Sequence, residues 1–404
     1  MNRSPSPARA GFLARLASLA VGLAVVLAGC AGPPAPTPTT SELPFEEAVA
    51  QATDSLVAQT QQLPTFLAKV ESRINKRGVV LDPMLDSTTG QQTAATQLLE
   101  TRVGERMTTK YEQFEILPFR AENLGRAQYL LTGTMTRAPG AKALQINLAL
   151  TDLKSGNVVA QASALSSERG LDSTPLPYYR DSPVLVKDQV IEGYVITSTT
   201  PPGRRADTYY LERIAAATLI QEATVLYNEE RYPEALGQYR SALATPQGEQ
   251  MRVLNGLYLT NAKLGRTVEA EQAFGRVVAF GIAYQQLGVK FLFNPGSTEF
   301  WSDPKVSGPY GMWLRQIARE GTAAKACMNI VGHTSRTGSE QVNDALSLQR
   351  AAYIRQRLAV EAPAFAARTQ PSGMGFRENI VGSGTDNAVD ALDRRVDFKI
   401  VPCP

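Results

Sequence analysis

The sequence predicts a multidomain protein of the α+β class, and three patterns along its 404 residues indicate this. In residues 45–166, apolar positions with helical spacing alternate with short strand-like runs, which predicts an α/β domain. Residues 207–287 carry a helical pattern that repeats itself, which predicts helical hairpins. Residues 288–404 return to alternating strands and helices, which predicts a second α/β unit. The Pro-, Ser- and Thr-rich residues 167–206 predict an irregular connector.

The first residues have the layout of a secretory signal. Arg3, Arg9 and Arg15 appear without any acidic residue and are followed by an apolar run over residues 16–28. This run is too short and too early for a membrane-spanning helix, and no later segment offers roughly 20 apolar residues. We therefore expect residues 1–29 to be a signal peptide and the mature protein not to cross a bilayer.

Residues 27–30 read Leu-Ala-Gly-Cys, which resembles the lipobox of bacterial lipoproteins. The resemblance implies a lipoprotein cut and lipidated at Cys30, and several acyl chains on one residue would anchor it stably in lipid. No Asp stands at the second position, which by resemblance to enterobacterial lipoproteins implies the periplasmic face of the outer membrane. Residues 30–44 are rich in Pro and Thr and predict a tether. The alternative is an ordinary secreted protein with a chance cysteine.

Charge, cysteine and histidine content indicate which partners and bonds to expect. Removing the three basic signal residues from 41 Lys+Arg leaves 38, against 38 Asp+Glu, so the chain has no basic field and we expect no nucleic-acid partner. Besides Cys30, Cys327 and Cys403 form an even pair in an oxidising compartment, which predicts a disulfide, with two free thiols as the alternative. His333 is the single histidine, so we expect no metal and no cofactor.

The N-terminal region has the element order of a small periplasmic domain. Apolar side chains in residues 144–150 alternate with Gln145, Asn147 and Ala149, which predicts a half-buried strand. The order resembles the domain shared by penicillin-binding-protein activator lipoproteins, the curli-secretion lipoprotein and flagellar outer-membrane lipoproteins. No segment has the composition of an active site, so we expect a binding or spacer domain.

The central region repeats small and aromatic positions thirty-five residues apart. This spacing resembles tetratricopeptide repeats, which implies binding of extended peptides or proteins, or a rigid spacer. A plain helical linker is the alternative. The first set of positions is Ala223, Ala235, Tyr239 and Ala242, and the second is Tyr258, Ala270, Phe274 and Val277.

The C-terminal region carries the most specific motifs. Residues 289–293 read as a first strand, Gly332-His333-Thr334 closes a second, and residues 394–396 open the last. Residues 343–351 match N-x-x-L-S-x-x-R-A in full. Together they resemble the OmpA-like peptidoglycan-binding domain, which implies an α/β sandwich over residues 288–404. In that sandwich the strands that carry Cys327 and Cys403 would be antiparallel neighbours, which agrees with a disulfide.

The same resemblance implies a binding site for the peptidoglycan stem peptide. Asn343 and Arg350 would share one helix face, about two turns and roughly 10 Å apart. A guanidinium suits a carboxylate, so Arg350 would bind the carboxylate of diaminopimelate. Apolar residues would pack this helix on the sheet, namely Val342, Ala345, Tyr353 and Leu358. The expected contact residues are Arg350, Asn343, Thr334, Ser335, Leu346 and Asn294.

One position departs from the family. An Asp directly after Gly-His-Thr binds the ammonium group of diaminopimelate in the family, but here Ser335 and then Arg336 follow. Three outcomes are open: weaker binding, substitution by a carboxylate such as Asp344, or loss of the glycan ligand with the fold retained. We expect His333 to pack at a strand end and Arg395 to brace the domain through an internal carboxylate.

These patterns predict a non-catalytic outer-membrane lipoprotein that contacts peptidoglycan non-covalently, tethers or scaffolds envelope proteins, and binds a protein partner through its repeats. No nucleophile elbow or paired-carboxylate motif accompanies the single histidine, so we expect no enzyme. Two alternatives remain open. One is an accessory component of an envelope secretion or flagellar assembly, and the other is a regulator of a cell-wall synthase. In either case the OmpA-like domain would be degenerate for glycan binding.

Overall fold

A computed structural model confirms the mixed α/β class. The signal peptide 1–29, Cys30 and most of the tether 30–44 lie outside the described residues, and the lipidation prediction lies there with them. Residues 38–404 form one compact unit. No helix in the described part of the chain combines the length and apolar character needed to span a bilayer. The described residues are 41–61, 76–137, 143–167, 169–294, 296–380, 384 and 393–403.

The N-terminal region is a mixed sheet with two long helices, α1 (Phe45–Gln61) and α2 (Ala94–Lys110), packed on it, and a short α3 (Ala121–Leu124). Its described strands are β1 (Arg77–Leu81), β2 (Leu85–Asp86), β3 (Phe114–Leu117), β4 (Tyr129–Arg137), β5 (Ala143–Asp152) and β6 (Val158–Ser167). The order is β3-β1-β4-β5-β6, with β2 beside β4. Strand β1 is parallel to β3 and β4, whereas β4, β5 and β6 form an antiparallel meander.

Strand β5 is buried on both faces, so the prediction of a half-buried strand is wrong. Asn147 is 4% exposed and Ala149 is fully buried. The predicted connector carries α4 (Pro177–Asp181) and α5 (Gln189–Thr199), and α5 covers the second face of the sheet. Its Tyr194 hydroxyl accepts a hydrogen bond from the N–H of Gly133 at 2.9 Å. Alternation in one strand does not reveal a helix that arrives from elsewhere in the chain.

The connector also extends the C-terminal sheet, so it is not irregular as we predicted. Val184 forms a β-bridge with Val289, and the N–H of Leu185 donates to the carbonyl of Gly288 at 3.2 Å. The N–H of Lys290 donates to the carbonyl of Pro183 at 2.8 Å. These long-range backbone contacts outweigh the weak local preferences of a Pro-rich segment.

The central region consists of helical hairpins, as the sequence predicts. After the short α6 (Thr208–Leu211), α7 (Ile214–Asn228) packs on α8 (Tyr232–Leu243), and α9 (Met251–Lys263) packs on α10 (Thr267–Ala283). All eight recurring positions are buried. The Tyr239 ring lies against Gly256, where a Cβ would clash with it. The likeness to tetratricopeptide repeats stays a prediction.

A buried polar cluster joins the N-terminal sheet to the hairpins. The Tyr210 hydroxyl donates to Asp82, and Asp188 accepts from the N–H groups of Val190 and Met251, each at 3.1 Å. Burial raises the pKa of Asp82 to about 7, although the Tyr210 hydrogen bond and the charge of Arg252 oppose the rise. Asp188 thus caps α5 and holds the start of α9, so the two regions are fixed to each other.

The turn between α7 and α8 places Glu230 in the left-handed region, at φ 62, where its counterpart thirty-five residues later is Gly265, at φ 70. A residue with a Cβ is strained there, and glycine is not. We expect Glu230→Gly to raise the free energy of unfolding by about 1 kcal/mol, measured by urea denaturation. Glu229→Gly is the matched control: Glu229 has φ −85, so this change should destabilise. A loss of stability in Glu230→Gly would contradict the strain.

The C-terminal region is a second sheet with helices on it. Its described strands are β7 (Leu287–Val289), β8 (Cys327–Gly332), β9 (Thr369–Gly373) and β10 (Val396–Val401), in the order β7-β10-β8-β9. Strand β10 is antiparallel to β7 and β8, and β8 is parallel to β9. The described helices are α11 (Pro304–Ser307), α12 (Tyr310–Ala323), α13 (Glu340–Glu361) and α14 (Pro363–Ala366).

The first strand of this sheet ends earlier than we predicted. The sequence predicts the strand at residues 289–293, but β7 covers Leu287–Val289 and its pairing with β10 stops at Val289. Phe291 is buried nonetheless, because its ring packs edge-on to Tyr310 with centroids 5.2 Å apart. Helix α12 also joins the hairpins, since the indole N–H of Trp313 donates to the Tyr258 hydroxyl at 2.8 Å. One apolar core therefore continues from the hairpins into the C-terminal sheet.

Candidate ligand-binding site

Helix α13 turns its polar motif residues inward. Asn343 and Arg350 are each 4% exposed, and Ser347 between them is fully buried. Val342, which we expected to pack the helix on the sheet, is 61% exposed, and Ala345 is exposed as well. Of the predicted packing positions, Leu358 is fully buried. The predicted packing face is therefore wrong for the first turns of α13. Their buried face carries Asn343 and Ser347, which form hydrogen bonds, and not the apolar Val342 and Ala345.

Two glycines bring the helix backbone onto the ends of β8 and β9. A Cβ on Gly332 would clash with the backbone carbonyl of Ser347, and one on Gly373 would lie 2.5 Å from the N–H nitrogen of Leu348. The hydroxyl of Ser347 accepts from the N–H of Gly375 at 2.9 Å. This close approach positions the loop after β8 beside the first turns of α13.

Arg350 lies under the loop that follows Phe293. Its Nε donates to the carbonyl of Ser297 at 3.2 Å and its Nη2 donates to the carbonyl of Asn294 at 3.3 Å. Its guanidinium carbon lies 4.8 Å from the centre of the Phe293 ring. The guanidinium is thus held in one orientation by backbone oxygens and an aromatic face. A ligand that binds Arg350 would therefore lie next to this loop.

The loop after β8 is braced by Asn343. The side-chain amide of Asn343 donates to the carbonyls of Thr337 and Ser339, at 2.8 and 3.0 Å. Thr334 is 2% exposed, and its N–H donates to the carbonyl of Gly375 at 2.9 Å. Its hydroxyl has no hydrogen-bond partner among the described atoms. Asn343 therefore shapes the site by fixing the backbone of the loop.

Ser335 is 7% exposed, and its hydroxyl lies 3.3 Å from that of Thr337. Helix α13 carries Asp344, whose Oδ1 would meet a Cβ on Gly375 at 2.5 Å. Asp344 pairs with Arg377 at 2.6 Å, and Arg377 also pairs with Glu340 at 3.1 Å. Asp344 thus lies beside Gly375, whose carbonyl accepts from the N–H of Thr334, but the Asp344 carboxylate is already paired with Arg377.

The remaining predicted contact residues lie at the edges. Leu346 is half-buried on α13. The side-chain oxygen of Asn294 accepts from the N–H of Ser302 at 3.2 Å, and the N–H of Asn294 donates to the carbonyl of Glu299 at 2.9 Å. Asn294 is therefore part of the turn that Arg350 supports, and its amide is used within that turn.

His333 belongs to a buried ionic cluster behind the site. Its Nε2 lies 3.0 Å from Asp397, which also accepts from Nε of Arg395 at 3.1 and 3.2 Å. Burial raises the pKa of Asp397, but the His333 contact and the charge of Arg395 outweigh it, so the net pKa is lowered. The sequence motifs do not single out Asp397. It could have been found from its spacing, because it lies two residues after Arg395, and residues two apart in extended chain share a face.

His333, Glu378 and Asp397 are close enough together to suggest a metal centre, since their ligand atoms lie within 4.8 Å of one another. Arg395 already pairs with Asp397, and Lys399 pairs with Glu378 at 3.1 Å. The two carboxylates that would have to bind a metal ion are thus already neutralised by Arg395 and Lys399. We assign the cluster to bracing the strand ends.

Loss of the Asp397 charge should weaken the C-terminal fold. We expect Asp397→Asn to lower the free energy of unfolding by about 2 kcal/mol at pH 7, because His333 and Arg395 would lose their shared carboxylate. Since the folded pKa of Asp397 is lowered, its contribution is present above its ordinary pKa of 3.8 and disappears as the pH falls through the folded pKa. Urea denaturation from pH 7 into acid should show the difference in stability between the two proteins shrinking once the pH falls below 3.8. A constant difference would contradict this assignment.

Cys327 and Cys403 are joined by a disulfide in the structure. Strand β10 pairs with β8 over its whole length, and Val401 lies opposite Cys327. The bridge thus closes the end of this pair that is distant from Gly332 and the candidate site.

No protein-family model and no curated protein sequence matches the chain. Among solved structures, the peptidoglycan-associated lipoprotein from Burkholderia pseudomallei is similar at 24% identity and a TM-score of 0.24, covering 28% of this chain and 89% of its own. A MotB-like protein from Desulfovibrio vulgaris is similar at 20% identity and a TM-score of 0.23, covering 34% of this chain and 94% of its own. At these values the alignments say nothing about what this chain binds.

Proposed function

We propose that this chain is a non-catalytic envelope protein whose C-terminal region binds the peptidoglycan stem peptide at Arg350. The observation that carries the proposal is the position of the motif helix. Asn343 shapes the loop after β8, and Arg350 lies on the same buried face, held by the carbonyls of residues 294 and 297. A guanidinium oriented in advance loses little freedom when it binds a carboxylate.

Diaminopimelate also presents an ammonium group, and Asp344 is the carboxylate we propose for it. Asp344 lies against Gly375, whose carbonyl accepts from the N–H of Thr334. Its ion pair with Arg377 is partly exposed, at 41% and 42% side-chain exposure, and such pairs contribute little free energy. An ammonium group could therefore share Asp344 with Arg377, but the competition would make binding weaker than at a dedicated Asp.

The proposal places the chain at the periplasmic face of the outer membrane, held by lipid on Cys30. Its support for this placement is the lipobox-like sequence. A tether fixed at one end raises the effective concentration of the other end near the wall, so even a weak site would be occupied. Scaffolding of a protein partner is part of the same proposal.

The test is co-sedimentation of the soluble chain from Pro38 onward with purified sacculi, since residues 38–404 form one compact unit. We expect the chain to sediment and Arg350→Lys to weaken binding by at least about tenfold, because a lysine lacks the planar guanidinium that the carbonyls of residues 294 and 297 orient. Asp344→Asn should weaken binding as well. Ser335→Asp should tighten it, because it supplies the charge that the native loop lacks.

The matched control is Arg355→Lys on the same helix, where Nε of Arg355 donates to the carbonyl of Thr369 at 3.0 Å, away from the proposed ligand. This variant should bind like the native chain. Circular dichroism and a urea midpoint must show that each variant is folded. If the native chain does not sediment, or if Arg350→Lys and Arg355→Lys behave alike, the proposed site is wrong.

A further inference from the structure

A cavity lies between the hairpins and the C-terminal region, apart from the Arg350 site. It has a volume of about 530 Å³. Helix α9 contributes Tyr258 and Lys263 to its lining, and α11 and α12 contribute Lys305 and Trp313. Segment 179–183 of the predicted connector contributes to the lining as well. Three parts of the chain that are distant in sequence therefore build one cleft.

The charge of this cleft is one-sided. Among the described residues, its lining holds five basic side chains and one carboxylate, Asp181. Asp181 is shared by Lys263 at 2.8 Å and Arg180 at 3.3 Å. The remaining basic residues in the lining are Lys290, Lys305 and Arg394. Like charges gathered in a concavity repel one another and focus a positive potential in it, which favours an anionic occupant.

Lys290 is one of the basic residues that line this cleft. Its ammonium donates to the backbone carbonyls of Arg180 at 3.2 Å and Tyr179 at 3.4 Å, which orient it without neutralising it. Burial lowers the pKa of Lys290 to about 8, although Asp181 opposes this. An anion in the cleft would restore the ordinary pKa, so binding and protonation of Lys290 favour each other.

The walls between the basic residues are aromatic and apolar. Tyr179, Tyr258, Tyr310 and Trp313 contribute to the lining, together with Leu292 and Val306. Trp313 is fixed by its hydrogen bond to Tyr258 and by stacking on Phe274, with ring centroids 5.6 Å apart. Rigid aromatic surfaces with a basic rim suit a ligand that combines carboxylates with large apolar side chains.

We propose that this cleft binds an acidic segment of a partner protein, in which aspartate or glutamate side chains flank an aromatic or aliphatic residue. Carboxylates of the segment would meet Lys263 and Lys305 at the rim, while the apolar side chain would lie against Trp313. The ligand needs both the carboxylates and the apolar side chain. A small anion would not contact the part of the apolar lining that stays accessible, and a peptidoglycan stem peptide offers no apolar side chain larger than a methyl group. This inference does not depend on wall binding at Arg350.

Trp313 gives a direct measurement. The chain has two tryptophans, so Trp301→Phe leaves Trp313 as the only one. Titration of the soluble chain from Pro38 onward with a synthetic octapeptide of alternating glutamate and phenylalanine should change the Trp313 fluorescence in a saturable way. The same peptide with glutamine for glutamate, or alanine for phenylalanine, should bind at least about tenfold more weakly. Raising the salt from about 0.05 M to about 0.5 M should weaken binding.

The double variant Lys263→Gln/Lys305→Gln should lose at least about tenfold in affinity for the octapeptide. Its control, Lys154→Gln/Arg240→Gln, removes the same charge from exposed positions outside the cleft and should bind like the native chain. Arg350→Lys should also leave this binding unchanged. The proposal is overturned if the glutamine peptide binds as tightly as the glutamate peptide, or if inorganic phosphate displaces the peptide with an equal affinity. It is also overturned if a soluble muropeptide changes the Trp313 fluorescence and binds more tightly than the peptide.

Discussion

Reduction of the Cys327–Cys403 bridge is expected to lower the free energy of unfolding of the C-terminal region by about 4 kcal/mol. The bridge spans 76 residues of sequence, and the chain-entropy model for a loop of this length gives a value of that order. The bridge also stabilises the folded sheet, because it ties the end of β10 to the start of β8, the two central strands. Urea denaturation with and without reductant measures the difference.

The control is the double variant Cys327→Ala/Cys403→Ala of the chain from Pro38 onward, which contains no other cysteine. Its stability should equal that of the reduced native chain and should not respond to reductant. Equal stability of oxidised and reduced native chains would refute the expected contribution. Binding to sacculi should persist in the reduced chain wherever it remains folded, because the bridge lies at the opposite end of the β8–β10 pair from the loop at Thr334.

Gly332→Ala should destabilise the C-terminal region by about 3 kcal/mol. The added methyl would meet the backbone carbonyl of Ser347, which cannot rotate away as a side chain would. Helix α13 would have to move off the end of β8, and Arg350 would move with it. We therefore expect both a lower urea midpoint and loss of wall binding, so the two measurements should be made on the same preparation.

Gly311→Ala is the matched control for this glycine. Gly311 lies in the first turn of α12, and an added Cβ would have its nearest neighbour at 3.9 Å, on the flexible end of Arg315. Alanine there should stabilise the helix by roughly 0.5–1 kcal/mol. If Gly332→Ala proves as harmless as Gly311→Ala, the contact between helix and strand is looser than the structure shows.

Local pattern in the sequence was sufficient for most element types. Residues 94–110 and 129–137 follow the spacing of a helix and a strand, and the hairpins follow the repeat of small and aromatic positions. The pairing of Cys327 with Cys403 followed from cysteine number and compartment. Such features rest on neighbours a few residues away, or on counts, so they can be read without knowing the fold.

The tertiary structure alone decided which surfaces are buried and which charges meet. The sequence showed Asn343 and Arg350 on one helix face, but only packing turned that face inward and exposed Val342. The connector formed a sheet edge because β7 offered it unpaired backbone groups, and its helix α5 packs on the uncovered face of the N-terminal sheet. The contact between Asp397 and His333, like the cleft at Lys290, joins residues that are far apart in the chain. Their chemistry depends on distances that no local periodicity encodes, because burial and Coulomb interactions are set by whatever the rest of the chain brings near.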